Sequence, residues 1–234
     1  MMIRKATLPK SSSSLVSRSF AVFSKDARLE LRTRYGLNAI LMFAVTTLAA
    51  VSFSVGQSGL SPKLLAALFW IILFFSAMSG LAQTFIREEE AATSMTLKLS
   101  ADTDSVYIGK LFFNFILLTV MAAIITPIFF IFTDAATHGI PVFIVILIAG
   151  VIGLSAATTL VAAIIAKASV KGALFAVLSF PILMPLLLVL ILATEKVMAE
   201  ATLGNVFTEI QFIVAYGVVM ITGSILLFRF VWRE

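Results

Sequence analysis

Beyond residue 36 the chain is a succession of long apolar runs separated by short polar breaks. Six runs, roughly 37–55, 64–86, 107–133, 141–166, 172–194 and 210–228, reach or approach the ~20 apolar residues that a membrane-spanning helix needs. The breaks carry turn residues: Gly56-Gln57-Ser58-Gly59, Ser61-Pro62, His138-Gly139 ahead of Pro141, and Lys171-Gly172. The pattern predicts an all-α membrane protein with six transmembrane helices over residues 37–234. No span holds a charge well inside its apolar stretch.

The first 36 residues follow a different pattern. Residues 1–14 read as a disordered, basic, Ser-rich tail. Residues 1–36 are too polar for a secretory signal and lack a long apolar run, though residues 1–20 also have transit-peptide composition. Over 15–36, Phe20, Phe23, Ala27 and Leu31 recur at helical spacing, with Arg18, Lys25, Arg28, Arg32 and Arg34 on other faces. This predicts an interfacial amphipathic helix, in which Glu30 pairs with Arg34 at i, i+4.

The longest polar break runs from Arg87 to Lys110 and gathers five acids and three bases. A helix is expected over Arg87–Leu99, with an apolar stripe of Ala91, Ala92, Met95 and Leu99. Glu88, Glu89 and Glu90 open it, where acids suit the helix dipole. Residues 100–105 read as a turn, with Asp104 or Ser105 capping the third span.

Composition agrees with a membrane protein: 61% hydrophobic, 12% charged, net charge +5. The basic residues set the orientation. With the N-terminus inside, 15 of the 17 Lys and Arg fall on the cytoplasmic side, leaving only Lys63 and Lys196 outside. Both termini, and a coupling loop over 87–106, are therefore expected in the cytoplasm. The Arg87–Lys110 segment's charge of −2, among otherwise basic cytoplasmic segments, suits a basic patch on a protein better than anionic lipid.

The chain has no cysteine and one histidine, His138, which leaves no multi-histidine or thiolate metal site. His138 could ligate an iron by itself; a solvated loop histidine is the plainer reading. There is no phosphate loop, since Ile108-Gly-Lys-Leu lacks the upstream glycine and the hydroxyl. The chain is therefore not expected to be an enzyme or to bind a cofactor, and any ATP would be hydrolysed by a partner. Nothing suggests nucleic acid.

Three features of the spans stand out. Ala149, Gly153 and Ala157 form a small-residue row suited to close helix packing, within the chain or in a homodimer. Pro181 and Pro185 remove two backbone donors from one face and make a candidate gating kink. Gln83 and Asn114 are amides that would seek partners between helices.

The run Phe85-Ile-Arg-Glu-Glu-Glu-Ala-Ala-Thr-Ser-Met-Thr-Leu-Lys-Leu-Ser100, followed by Tyr107-Ile-Gly-Lys-Leu-Phe-Phe-Asn114, resembles the signature of the haem exporter protein B family. Arg28-Leu-Glu-Leu-Arg32 resembles that family's elbow-helix run, and Ala92 departs from the expected Gly before Thr93. The resemblance implies the permease subunit of an ABC-type complex for cytochrome c maturation in the bacterial inner membrane, with an ABC-2 exporter-like fold. It implies four kinds of partner: a cytoplasmic ATP-binding subunit, a haem-handling membrane subunit, a small single-span subunit and a periplasmic haem chaperone. It also implies that residues 87–100, including Arg87, Glu88, Glu89, Glu90, Thr93, Met95 and Leu99, form the coupling helix to the ATPase. Haem would be cargo. An ABC-2 permease for lipid, polysaccharide or drug, and a non-transporting assembly scaffold, use the same features.

Overall fold

The computed structural model describes residues 14–55, 60–81, 83–91, 93, 95–97, 101–133, 139–166, 171–199 and 203–233. Eight helices organise them: α1 (Leu15–Thr33), α2 (Tyr35–Val55), α3 (Pro62–Leu81), α4 (Gln83–Glu90), α5 (Thr103–Thr133), α6 (Ile140–Ile165), α7 (Lys171–Ala199) and α8 (Leu203–Arg233). Among the described residues there is no strand. Four stretches are long and apolar enough to cross a membrane: Thr103–Thr133, Ile140–Ile165, Val177–Ala199 and Gly204–Phe230. Shorter apolar stretches, Ile40–Val51 and Pro62–Met78, lie in α2 and α3. The tail over 1–13 and His138 lie outside the described residues.

Helix α1 starts where the Ser14 side chain accepts the Ser17 N–H at 3.3 Å. It stops at Arg34, whose φ of +51° is left-handed and whose N–H closes on the Glu30 carbonyl at 2.6 Å. A non-glycine residue there costs about 1 kcal/mol. The geometry lets α2 begin at Tyr35, so the chain turns within one residue. Glu30 stabilises that turn, because its carboxylate accepts the Leu37 N–H at 2.9 Å in the first turn of α2. The expected Glu30–Arg34 side-chain pair is replaced by this cap on Oε1 and by a bond from Arg87 to Oε2.

The helices pack around one long apolar core. Phe69, Trp70, Phe129 and Phe143 meet through tilted and edge-on rings with centroids 5.2–5.5 Å apart. Lipid is as apolar as these side chains, so close fit and hydrogen bonds hold the bundle rather than exclusion of water. Two buried bonds serve that end. Trp70 Nε1 donates to Thr194 Oγ1 at 2.8 Å, joining α3 to α7. Asn114 Nδ2 donates to Thr159 Oγ1 at 2.8 Å, joining α5 to α6. The Gln83 side chain lies outside the described residues.

The tightest point of the core is Gly150. A Cβ there would meet the Trp70 ring at 2.4 Å and Leu190 Cδ2 at 2.8 Å. The indole is rigid and held by Thr194, so it cannot yield as a flexible side chain would. Gly150→Ala is expected to destabilise the purified protein by about 1–3 kcal/mol, read as a lowered melting temperature in detergent.

Helices α7 and α8 run past their predicted ends, through Glu195 and Lys196 and from Leu203 onward. Apolar runs mark where lipid would begin, whereas helical hydrogen bonding continues beyond it. Lys196 Nζ bridges these ends, 2.5 Å from Glu209 and 3.1 Å from the Asn205 carbonyl.

Candidate functional site: the polar end of the bundle

The expected helix over Arg87–Leu99 is shorter in the structure. Helix α4 ends at Glu90, where the Thr93 N–H turns back to the Glu88 carbonyl at 2.9 Å and the Thr93 hydroxyl follows at 3.3 Å. Such a bond across five residues closes a helix C-terminus. Three successive glutamates near the negative end of the helix dipole also favour an early stop. Residues 95–97 are helical again, and Leu99 lies outside the described residues.

Two charges of this segment, Glu88 and Lys110, are buried. Lys110, eight residues into α5, is fully buried. Its Nζ lies 3.3 Å from Asp26 Oδ2 and 3.0 Å from Glu88 Oε2, the latter an ion pair without hydrogen-bond alignment. The same ammonium sits 4.8 Å over the Phe85 ring. Lys25 bonds to Glu88 and lies 3.2 Å from Asp26 Oδ1. Two lysines and two carboxylates thus alternate across α1, α4 and α5. Burial acts to lower the Lys25 pKa, but Asp26 and Glu88 outweigh it, so the ammonium titrates above its ordinary value of 10.5. The stability this group gives is complete below its ordinary pKa and is lost as pH rises through the raised folded value.

Further ion pairs extend the cluster. Arg87 donates to Glu30 at 3.1 Å, tying α4 to α1. Arg18 pairs with Asp102, just before α5. Arg229 of α8 grips Asp104 with two bonds of 2.9 and 2.7 Å. Asp104 therefore stands in the first turn of α5 rather than capping it, because Asp102 accepts the first intrahelical bond from Val106. Ser105 is buried. Beneath the charges lies a second apolar cluster, including Val22, Phe85, Val106, Tyr107, Val161 and Phe228. Every described element that meets at this end is clamped by at least one ion pair or apolar contact.

Helix α1 docks differently from its sequence pattern. Its buried positions are Ser19, Val22, Asp26 and Glu30, while Phe20 and Leu31 are exposed. The acids face the bundle because Lys110 and Arg87 await them there; Val22, Phe23 and Ala27 pack inward beside them, and Phe20 and Leu31 are left for lipid. Contact with α5 is close, since a Cβ on Gly109 would meet the Ser19 carbonyl oxygen at 2.6 Å and Val22 Cβ at 2.8 Å.

Of the residues singled out in the segment, Glu88 is buried, Arg87 and Glu89 are half-buried, and Glu90, Thr93 and Met95 are exposed. Elsewhere, Pro181 and Pro185 face outward on an unbroken α7, and the Tyr216 hydroxyl donates to the Ile182 carbonyl between them at 2.8 Å. Ala149, Gly153 and Ala157 lie along α6, where a Cβ on Gly153 would meet Leu186 of α7 at 2.8 Å. Among the described residues no group of three or more His, Cys, Asp or Glu could hold a metal ion.

Sequence reasoning missed Asp26, Glu30 and Lys110. The signal was present: Asp26 and Glu30 are the only acids before residue 37 and stand one helical turn apart. That spacing marks a single face, and their partners lie far along the chain.

A family model described as CcmB protein matches residues 17–231, from the first turn of α1 almost to the end of α8. The chain belongs to the CcmB family. No curated protein matches it in sequence. Membership of this family, that of haem exporter protein B, ties the chain to haem export for cytochrome c maturation. With the apolar helices it makes the chain a multi-pass membrane protein. The match takes in the whole ion-paired end, so in this CcmB-family chain α1 is part of the family's unit.

Proposed function

We propose that this chain is the permease subunit of an ABC-type complex in cytochrome c maturation. In this reading α2, α3, α5, α6, α7 and α8 are six spans, with both termini on the cytoplasmic side of a bacterial inner membrane. Helix α1 is the interfacial elbow. A separate cytoplasmic subunit hydrolyses ATP, grips residues 87–97, and drives handling of haem or of a haem chaperone by the assembly.

The observation that carries the reading is the family match over residues 17–231. The ion pairs supply its mechanical side. A force on α4 passes through Glu88 to Lys110 of α5, and through Arg87 to Glu30 of α1. Buried charge pairs resist separation, because parting them strands a desolvated charge. The segment is thus coupled to two helices, α1 and α5, without any long rigid lever.

The inward turn of Glu88 narrows the expected contact to Glu89, Glu90, Thr93, Met95 and Thr96 on the outer surface. Glu89→Lys with Glu90→Lys should release the ATP-binding subunit while the protein stays in the membrane, lowering its co-purification at least ten-fold. Full recovery of the partner by affinity purification would remove these acids from the contact. In cells, loss of the chain should abolish c-type cytochromes. A deletion strain with normal levels would overturn the assignment and leave an ABC-2 permease for other cargo, or a scaffold.

A further inference from the structure

A groove of about 840 Å³ runs between α1 and the segment over 87–97. Its floor is largely apolar, with Ala21 and Leu29 on one side and Ala91 and Leu97 on the other. Arg28 and Arg32 stand along its α1 wall. They are one helical turn apart, so their Cβ atoms are about 6 Å from each other and both guanidiniums can reach one phosphate. Both are exposed, and neither has an ion-pair partner among the described residues. The other two cations of the groove differ: Lys25 is held by Asp26 and Glu88, and Arg87 by Glu30.

The next flank of α1 carries Val16, Phe20 and Leu31, exposed by 74%, 62% and 69%. In a multi-pass membrane protein such side chains enter the acyl region, which sets the adjoining flank at headgroup level. We propose that the groove binds an anionic phospholipid, its phosphate between Arg28 and Arg32 and its glycerol and first acyl carbons over Leu29 and Leu97. A soluble anion would use the arginines and leave the apolar floor bare, whereas an amphiphile uses both. The lipid would bridge α1 to the segment beyond α4, making the packing of that segment sensitive to the charge of the leaflet.

The test uses the purified full chain in neutral detergent, titrated with phosphatidylglycerol, phosphatidylcholine or inorganic phosphate. The readouts are thermal stabilisation and lipid retained in native mass spectrometry. Phosphatidylglycerol is expected to bind saturably, and the other two are not. Each surface arginine facing an anionic leaflet contributes about five-fold, so Arg28→Gln with Arg32→Gln should weaken binding roughly 30-fold. Lys63→Gln, far along the chain at the start of α3, should leave it unchanged. Undiminished binding by the double variant would overturn the proposal. Stabilisation by inorganic phosphate alone would make this a soluble-anion site. Normal lipid binding by the double variant, with loss of a co-purifying ATP-binding subunit, would make the surface a protein-docking site instead.

Discussion

Lys110→Met should destabilise the protein by about 3–5 kcal/mol, more than any other single change at the polar end. The side chain is fully buried, so no water replaces the ammonium when it is removed. Asp26 and Glu88, themselves over nine-tenths buried, would be left with only the half-exposed Lys25 between them. Two carboxylates facing one cation repel each other in a medium where charge is poorly screened. In detergent the melting temperature should fall by about 10 °C. The decisive comparison is a rescue. Asp26→Asn with Glu88→Gln, added to Lys110→Met, removes the stranded charges and should recover more than half of the loss. A triple variant no more stable than Lys110→Met would show that the lysine acts through its packed stem and its contact with Phe85, not through charge.

Removing the carboxylates alone asks the complementary question. Glu88→Gln keeps the shape of the side chain and leaves Lys110 its pairing with Asp26. A smaller cost is expected, because the amide oxygen can still accept from Lys25 while Lys110 keeps Asp26. This asymmetry separates Glu88 from Glu89 and Glu90. The first is buried; of the others Glu89 is half-buried and Glu90 exposed, so a reversed charge there can reach water. A triple reversal of all three would mix unfolding with loss of a partner, so only the two outer acids make a clean test of docking.

These residues also mark how far the sequence could be read. The apolar runs located the four helices long and apolar enough to cross a membrane, and the shorter apolar stretches of α2 and α3, because a bilayer demands a fixed length of apolar side chain whatever its partners. Helix ends were less legible. Arg34 could not be recognised as a left-handed stop, since arginine rarely takes that conformation and the Glu30 cap that supports it forms only once α2 has turned. Helix α1 was read from its apolar spacing, which spans two flanks: Phe23 and Ala27 pack on the core, whereas Phe20 and Leu31 face outward. Its bundle-facing flank carries acids, a pattern that normally signals solvent. Only the distant Lys110 and Arg87 reverse the meaning, and no local periodicity reports a partner 57 or 84 residues away. The polar segment was likewise noticed for its excess of acid. Its actual economy is pairing: Glu88, Asp102 and Asp104 each meet a base from another element.

Gly109→Val should detach α1 from the bundle. Alanine at this position already places a Cβ 2.6 Å from the Ser19 carbonyl oxygen, a backbone atom that cannot rotate away. Alanine should cost about 1–3 kcal/mol through a shift of the whole helix. Valine adds two methyl groups against Val22 and gives no rotamer that avoids both contacts. Once α1 moves by more than about an ångström, the Lys110–Asp26 and Arg87–Glu30 pairs lengthen together, and buried partners lose each other's compensation. The expected signature is therefore regional. Amides of α1 should exchange with deuterium far faster than in the parent protein, while the α3–α6 core around Trp70 and Gly150 keeps its protection. Gly223→Ala is the control, because a Cβ there meets nothing within 4 Å and a helix-interior alanine is favoured over glycine by up to about 1 kcal/mol. If Gly109→Val leaves α1 protected, the close approach of α1 to α5 is not what holds the polar end together, and the ion pairs must suffice alone. If it frees α1 and also prevents an ATP-binding subunit from co-purifying, docking depends on α1 holding the 87–97 segment in place and not on the exposed acids by themselves.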